Sequence, residues 1–288
     1  MRSFSILTSL FRVFLVSLIF FGLAGCKVVQ DYLGSRKPSA RVVNARLADL
    51  SLESATMLFD VEVENPYSLP LPLVNVDYAL ASRDKSFLSG RVDLEGTVPA
   101  QGKRTIALPA KVAYTGLLEV LKDVRPGSVI PYTANFGLSV DAPALGPLRL
   151  PLRKEGELPI PKVPEVEIRQ IRWDKLTLDE AGGYANLQLV NRNEFPLEIS
   201  QLDYSLSLGG VEVANSSMAE SLSFAAGGGG GDLEIPIKFS PRSLGLAVFR
   251  MLTAKGAGYD LRGTLDVGTP FGPMSLPIEK AGDTIFRR

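Results

Sequence analysis

Hydrophobic and polar residues alternate with a period of two along most of this chain. Phe59, Val61 and Val63 alternate with Asp60, Glu62 and Glu64. Val76, Tyr78 and Leu80 alternate with Asn75, Asp77 and Ala79, and Tyr132, Ala134, Phe136, Leu138 and Val140 with Thr133, Asn135, Gly137 and Ser139. Tyr259, Leu261, Leu265 and Val267 repeat the last pattern. A period of two with one apolar face is the signature of a half-buried strand. Two segments depart from it. Leu117, Leu118, Leu121 and Val124 fall at helical spacing before a Pro126-Gly127 stop. Ser240-Pro241 supplies an N-cap and a first-position proline for Leu244, Val248, Met251 and Leu252.

These elements are written twice. Gly146-Pro147-Leu148-Arg149-Leu150-Pro151 returns 126 positions later as Gly272-Pro273-Met274-Ser275-Leu276-Pro277, and Asp77-Tyr78-Ala79-Leu80 as Asp203-Tyr204-Ser205-Leu206 at the same offset. Leu108 to Lys111 matches Ile235 to Lys238, and Tyr132 to Val140 matches Tyr259 to Val267, both at 127. A near-constant offset with small slips means a duplicated domain. The pattern predicts an all-β chain: two tandem Ig/fibronectin-III-like antiparallel β-sandwich domains, each with one short α-helix. The expected boundaries are 41–157 and 165–282, followed by a C-terminal tail at 283–288. Between the domains, Leu158-Pro159-Ile160-Pro161-Lys162-Val163-Pro164 reads as a semi-rigid polyproline spacer, the alternative being a docking motif for a proline-reading domain.

The first 25 residues change the picture. Arg2 and Arg12 precede a short apolar core from Val13 to Phe21, and Leu23-Ala24-Gly25-Cys26 follows. Charge, a short apolar run and small residues make a secretory signal peptide. The Leu-Ala-Gly-Cys ending resembles the lipobox of bacterial lipoproteins, which implies cleavage before Cys26, lipidation of its sulfur and a palmitate-bearing membrane anchor. Residues 26–40 then form a tether. A transmembrane anchor is the alternative, but the apolar run is shorter than the roughly 20 residues a spanning helix needs. Lys27, where an aspartate would signal inner-membrane retention, points to the periplasmic face of the outer membrane of a Gram-negative bacterium.

Composition then excludes whole classes of chemistry. Cys26 is the single cysteine and there is no histidine, which removes Ser-His-Asp and Cys-His catalysis and imidazole metal ligation. The chain carries 31 basic and 31 acidic residues; loss of Arg2 and Arg12 with the signal peptide leaves 29 against 31, a net of −2. No basic stripe suggests nucleic acid as a partner.

Val63-Glu64-Asn65-Pro66-Tyr67-Ser68-Leu69-Pro70-Leu71 followed by Asp77-Tyr78 resembles the water stress and hypersensitive response (WHy) domain of the type 2 late embryogenesis abundant (LEA) family. A second form is read in Asn191-Arg192-Asn193-Glu194-Phe195, matching Asn193 to Asn65 and Phe195 to Tyr67, with Glu194 in place of Pro66. The resemblance implies two sheets and one helix per domain, no catalytic residues, no cofactor, and protection during desiccation, freezing or related stress. Asn65, Pro66, Tyr67 and Asn193 are the motif positions it marks. Pro66 alone gives them a structural reason, since it lacks an N–H and drives Asn65 out of the helical region; a ligand-binding role for Asn65 and Tyr67 is the alternative.

Other candidates are weaker. Gly227 to Gly231 lacks the Gly-Lys-Ser/Thr ending of a phosphate loop and is followed by Asp232, so it reads as a lengthened hairpin loop and no nucleotide is expected. Ser82-Arg83-Asp84-Lys85 fits a Ser-x-x-Lys spacing but follows a strand, where it reads as a turn. Asp60, Glu62 and Glu64 share one strand face, a solvated face rather than a calcium site, and no metal is expected. Trp173 reads as a core residue. The expectation is a non-enzymatic, lipid-anchored envelope protein that protects protein clients or membranes under water stress; the alternative is an adaptor docking one envelope partner through a sandwich edge.

Overall fold

A computed structural model describes residues 37–143, 145–219 and 221–287. The signal peptide at 1–25, the lipobox Cys26 and the tether up to residue 36 lie outside the described residues, as does Arg288. No described helix is long and apolar enough to cross a membrane.

The first domain is built from β1 (Ser39–Leu50), β2 (Ser54–Glu64), β3 (Leu71–Ser82), β4 (Lys85–Asp93), β5 (Thr97–Val98), β6 (Lys103–Ala113), α1 (Tyr114–Val120), β7 (Val129–Ala142) and β8 (Gly146–Pro159). A three-stranded sheet, β1-β2-β6, faces a second sheet ordered β4-β3-β7-β8, with β5 paired to β3. The alternation is obeyed: Phe59, Val61 and Val63 are fully buried, while Asp60 and Glu62 on the other face are half-buried. Phe59 bridges the sheets edge-on to Phe136, ring centroids 5.0 Å apart, and to Tyr132.

The second domain repeats the plan with β9 (Glu165–Leu176), β10 (Ala181–Val190), β11 (Leu197–Leu208), β12 (Val211–Met218), β13 (Leu222–Phe224), β14 (Gly230–Phe239), α2 (Pro241–Leu244), α3 (Leu246–Leu252), β15 (Gly256–Thr269) and β16 (Gly272–Arg287). Even irregularities recur. β1 bulges at Val43, between Val42 and Asn44, and β9 bulges at the matching Arg169. Tyr132 lies over Gly156 across β7–β8, and Tyr259 over Gly282 across β15–β16; a Cβ on either glycine would meet the tyrosine ring within about 3 Å. That explains why both glycines return in the repeat: the aromatic ring covers the strand where a side chain is missing.

Four expectations need correction. The helix of the second domain is in two pieces, because Gly245 at φ 101° breaks it between Leu244 and Leu246. The spacer 158–164 is not free. Leu158 and Ile160 are buried in the core, and Ile160 exchanges backbone hydrogen bonds with the α1–β7 loop, donating to Ser128 at 2.9 Å and accepting from Gly127 at 2.6 Å. The tail at 283–288 belongs to β16 as far as Arg287. There Ile285, Phe286 and Arg287 pair in parallel with Gln170, Ile171 and Arg172 of β9, joining both sheets of this domain into one eight-stranded sheet. The first domain begins two residues before the expected 41, at Ser39.

Ile160 and Phe286 are therefore equivalent closing residues, since Phe286 donates to Lys255 as Ile160 does to Ser128. Phe286 packs edge-on to the buried Trp173, 5.8 Å between centroids, and Phe239 does so from another side. Fragments cut at 157 or 282 remove these plugs. A fragment of residues 37–161 is expected to unfold at higher urea than one of 41–157. Ending the chain at Asp283 should cost about 2 kcal/mol, from lost apolar burial and strand pairing, and should red-shift the emission of Trp173. Identical urea midpoints with unshifted emission would refute this account of how the domains close.

Candidate functional site

Strand β2 must cross to the other sheet at its end, and the turn there is organised by one buried side chain. The Asn65 Nδ2 lies 2.8 Å from the Leu69 carbonyl, 3.0 Å from that of Pro99 and 3.2 Å from that of Val98, while Oδ1 accepts the Tyr67 N–H at 3.0 Å. The amide closes its own turn and ties it to the β5–β6 loop. Pro66, half-buried, is the second residue beyond the end of β2 at Glu64.

The same set of bonds in the second domain belongs to Asn191. Its Nδ2 reaches the carbonyls of Phe195 at 2.8 Å, Ala225 at 3.1 Å and Phe224 at 3.4 Å, and its Oδ1 accepts the Asn193 N–H at 3.0 Å. The match of Asn193 to Asn65 is thus two residues out of register. Asn191 replaces Asn65, Arg192 replaces Pro66, Asn193 replaces Tyr67 and Phe195 replaces Leu69. The backbone agrees: Tyr67 accepts from Gln101, and Asn193 from Gly227. The 126-residue offset already carried this answer; the likeness of Asn-Glu-Phe to Asn-Pro-Tyr obscured it.

The replaced position has a different use in each copy. Tyr67 is 3% exposed, and burial pushes its hydroxyl pKa up, so it presents nothing to a ligand in solution. Asn193 instead pairs with the backbone of Lys162, accepting its N–H at 2.8 Å and donating to its carbonyl at 2.9 Å. Its neighbour Glu194 accepts the Val129 N–H at 2.8 Å and donates its own N–H to Gly127 at 2.7 Å. Asn193 and Glu194 bind the helix-bearing end of the first domain to the turn end of the second.

The seam between sheets also differs. Amides alternate along a strand, so with the Phe286 N–H on Lys255, just before β15, those of Ile285 and Arg287 face β9. Their first-domain counterparts are Pro159 and Pro161, which have no N–H to give. No ladder joins β8 to β1. Tyr259 accepts the Ile168 N–H at 3.3 Å across the closed seam. The open one holds a cleft of about 340 Å³ over Ala45, Leu47, Met57 and Tyr132, with Phe271 of the second domain at its end.

A family model described as late embryogenesis abundant protein, LEA_2, matches this chain twice, over residues 60–156 and 186–282. The chain belongs to this LEA family. A desiccation protectant protein Lea14 homolog of Glycine max is 32% identical over 139 residues, which is 48% of this chain and 91% of that protein. Desiccation-related protein PCC27-45 of Craterostigma plantagineum is 30% identical, over 48% of this chain and 92% of its own. The solution structure of AT1g01470 from Arabidopsis thaliana is 28% identical, covering 44% of this chain and 84% of that one with a TM-score of 0.37.

The remaining candidates of the two LEA domains resolve locally. Arg83 and Asp84 at φ 48° and 64° form the tight β3–β4 hairpin turn, which separates Ser82 from Lys85 by a reversal rather than a helical turn. Gly227 and Gly228, at φ 70° and 110°, make the β13–β14 connection, residues 225–229; it exceeds the β5–β6 connection by one residue, the source of the slip from 126 to 127. It is not the expected hairpin loop, because β13 pairs with β11 and β14 with β10. Glu62 is held below the usual carboxylate range by its hydrogen bond from Arg41, with Lys103 adding to the effect, and Asp60 accepts from Asn44. Among the described residues no group of three His, Cys, Asp or Glu side chains is placed to hold a metal ion.

Replacing Asn65 or Asn191 with Ala should each cost about 2–4 kcal/mol, because buried carbonyls and an N–H lose their partners. Asn193→Ala should cost less and act elsewhere, opening a protease-sensitive site near Lys162 while both domains stay folded. Urea melts with limited proteolysis check both. A larger loss for Asn193→Ala than for Asn191→Ala would reinstate the discarded register.

Proposed function

We propose that this LEA protein is a non-enzymatic protector of proteins or membranes during desiccation, freezing or related water stress. In this reading a lipid on Cys26 holds it at the periplasmic face of the outer membrane. The observation that carries the reading is the pair of LEA domains whose relatives, named as desiccation proteins, align over more than nine-tenths of their own length. The surface suits the task physically. Outward strand faces carry close charge pairs such as Arg41–Glu62 and Arg149–Asp77, both at 2.8 Å, so the exterior is well hydrated and nearly neutral. Such a surface separates partly unfolded clients without holding any one of them. The asparagine amides are spent on the fold, which favours action by the whole surface over a motif-centred ligand site.

The chain lacking residues 1–26 is expected to preserve a labile enzyme through freeze–thaw better than an equal mass of an unrelated folded protein. Protection no better than that control would overturn the stress reading. Asn65→Ala should lower protection only as far as it unfolds the first domain. Cys26→Ser should abolish lipid addition and processing; normal maturation with unchanged membrane attachment would refute the anchor.

The unpaired β1 edge favours one second reading, an adaptor that takes an extended segment of an envelope partner by strand addition. A single partner recovered by pull-down from envelope extracts, lost when Ala45 is changed to Pro, distinguishes it from broad protection.

A further inference from the structure

The offset between the copies is 127 both before the helical segments, at Leu108 and Ile235, and after them, at Tyr132 and Tyr259, so these segments compare residue by residue. Leu117 in α1 is 1% exposed. Its counterpart Leu244 is 39% exposed, and Glu119 is replaced by Leu246 at 64%. Leu118 continues the first helix, whereas Gly245 at φ 101° breaks the second and turns Leu244 outward; Leu246 takes the position of Glu119, which is exposed in both copies. Leu178, 36% exposed, adjoins them, because its carbonyl accepts the Arg242 N–H at 2.8 Å.

Charge changes in the same place. From Tyr114 to Ser128 the first copy balances Glu119 and Asp123 against Lys122 and Arg125. From Pro241 to Lys255 the second has Arg242, Arg250 and Lys255 and no acid. Arg242 pairs with Asp179 of the adjoining turn at 2.8 Å; no ion pair engages Arg250 among the described residues. Arg250 stands one helical turn after Leu246, on the same face.

Position matters too. The helix-bearing end of the first domain is covered by Asn193 and Glu194, whereas that of the second lies at the opposite end of the ten-residue strand β10 from this junction, about 30 Å away. We propose that the α2–α3 end of the second domain docks on an anionic lipid surface, Leu244 and Leu246 entering the headgroup boundary and Arg250 meeting lipid phosphates. Exposed leucines beside a cation are the composition of an interfacial helix, and Arg250, which no ion pair engages among the described residues, favours an acidic leaflet over an apolar protein face. The contact goes beyond protection and does not depend on lipidation of Cys26.

The test uses the chain from Lys27 onward, which retains every described residue of the core. It is sedimented with phosphatidylcholine vesicles, with and without about one-third phosphatidylglycerol. Binding to the anionic vesicles, weakened by salt, is expected. Leu244→Ser combined with Leu246→Asp should reduce it about tenfold or more with an unchanged urea midpoint, since both side chains are exposed. Leu69→Asp, exposed at the far turn of the first domain, should leave it unchanged. Equal binding by the double variant, or none by the parent chain, overturns the proposal. Self-association through these leucines without vesicle binding also overturns it, assigning the patch to a contact between copies.

Discussion

A buried amide where the chain crosses from one sheet to the other sets the frame of each domain. Asn65 and Asn191 each gather carbonyls from two separate connections and accept an N–H two residues ahead. Sandwich faces bury themselves readily through alternating apolar residues, but the crossing carries backbone groups into a dry region, where each must find a partner. An asparagine side chain offers both donors and an acceptor in one planar group. With the crossing fixed, β3 enters the opposite sheet in register and the alternation of every later strand falls on the correct face.

On that common frame the two copies have diverged at three places. The position two residues after the buried asparagine is a buried tyrosine in one copy and a clamp on the interdomain backbone in the other. The last strand closes the seam through Ile285–Arg287 but is prevented from doing so by Pro159 and Pro161. The helix is continuous over Leu117 and broken before Leu246. Each change is small, and each alters what is presented to the outside: a fixed domain junction, an open strand edge and an apolar tip ringed by cations.

The sequence made the strands, the duplication and the positions of the core legible, because burial of one sheet face imposes a period that shows in a single strand. The hairpin at Arg83-Asp84 and the turn at Gly227-Gly228 were legible from local turn chemistry, and the burial of Trp173 from its size and apolar ring. The crossing asparagine of the second domain was legible in principle from the offset, yet local resemblance pointed two residues away. The proline run looked like a spacer because its composition favours extended backbone; its burial depends on Gly127 and Ser128, some thirty residues earlier.

Thus the amino-acid sequence by itself determined two all-β domains of one design, since alternation, turn chemistry and repetition are properties of near neighbours. Tertiary structure alone decided which seam is shut and which of two equivalent leucines meets solvent. Leu117 and Leu244 occupy matching positions, and what separates them is the backbone break at Gly245, which takes the second leucine away from the sheets that bury the first. Burial is a property of those distant partners.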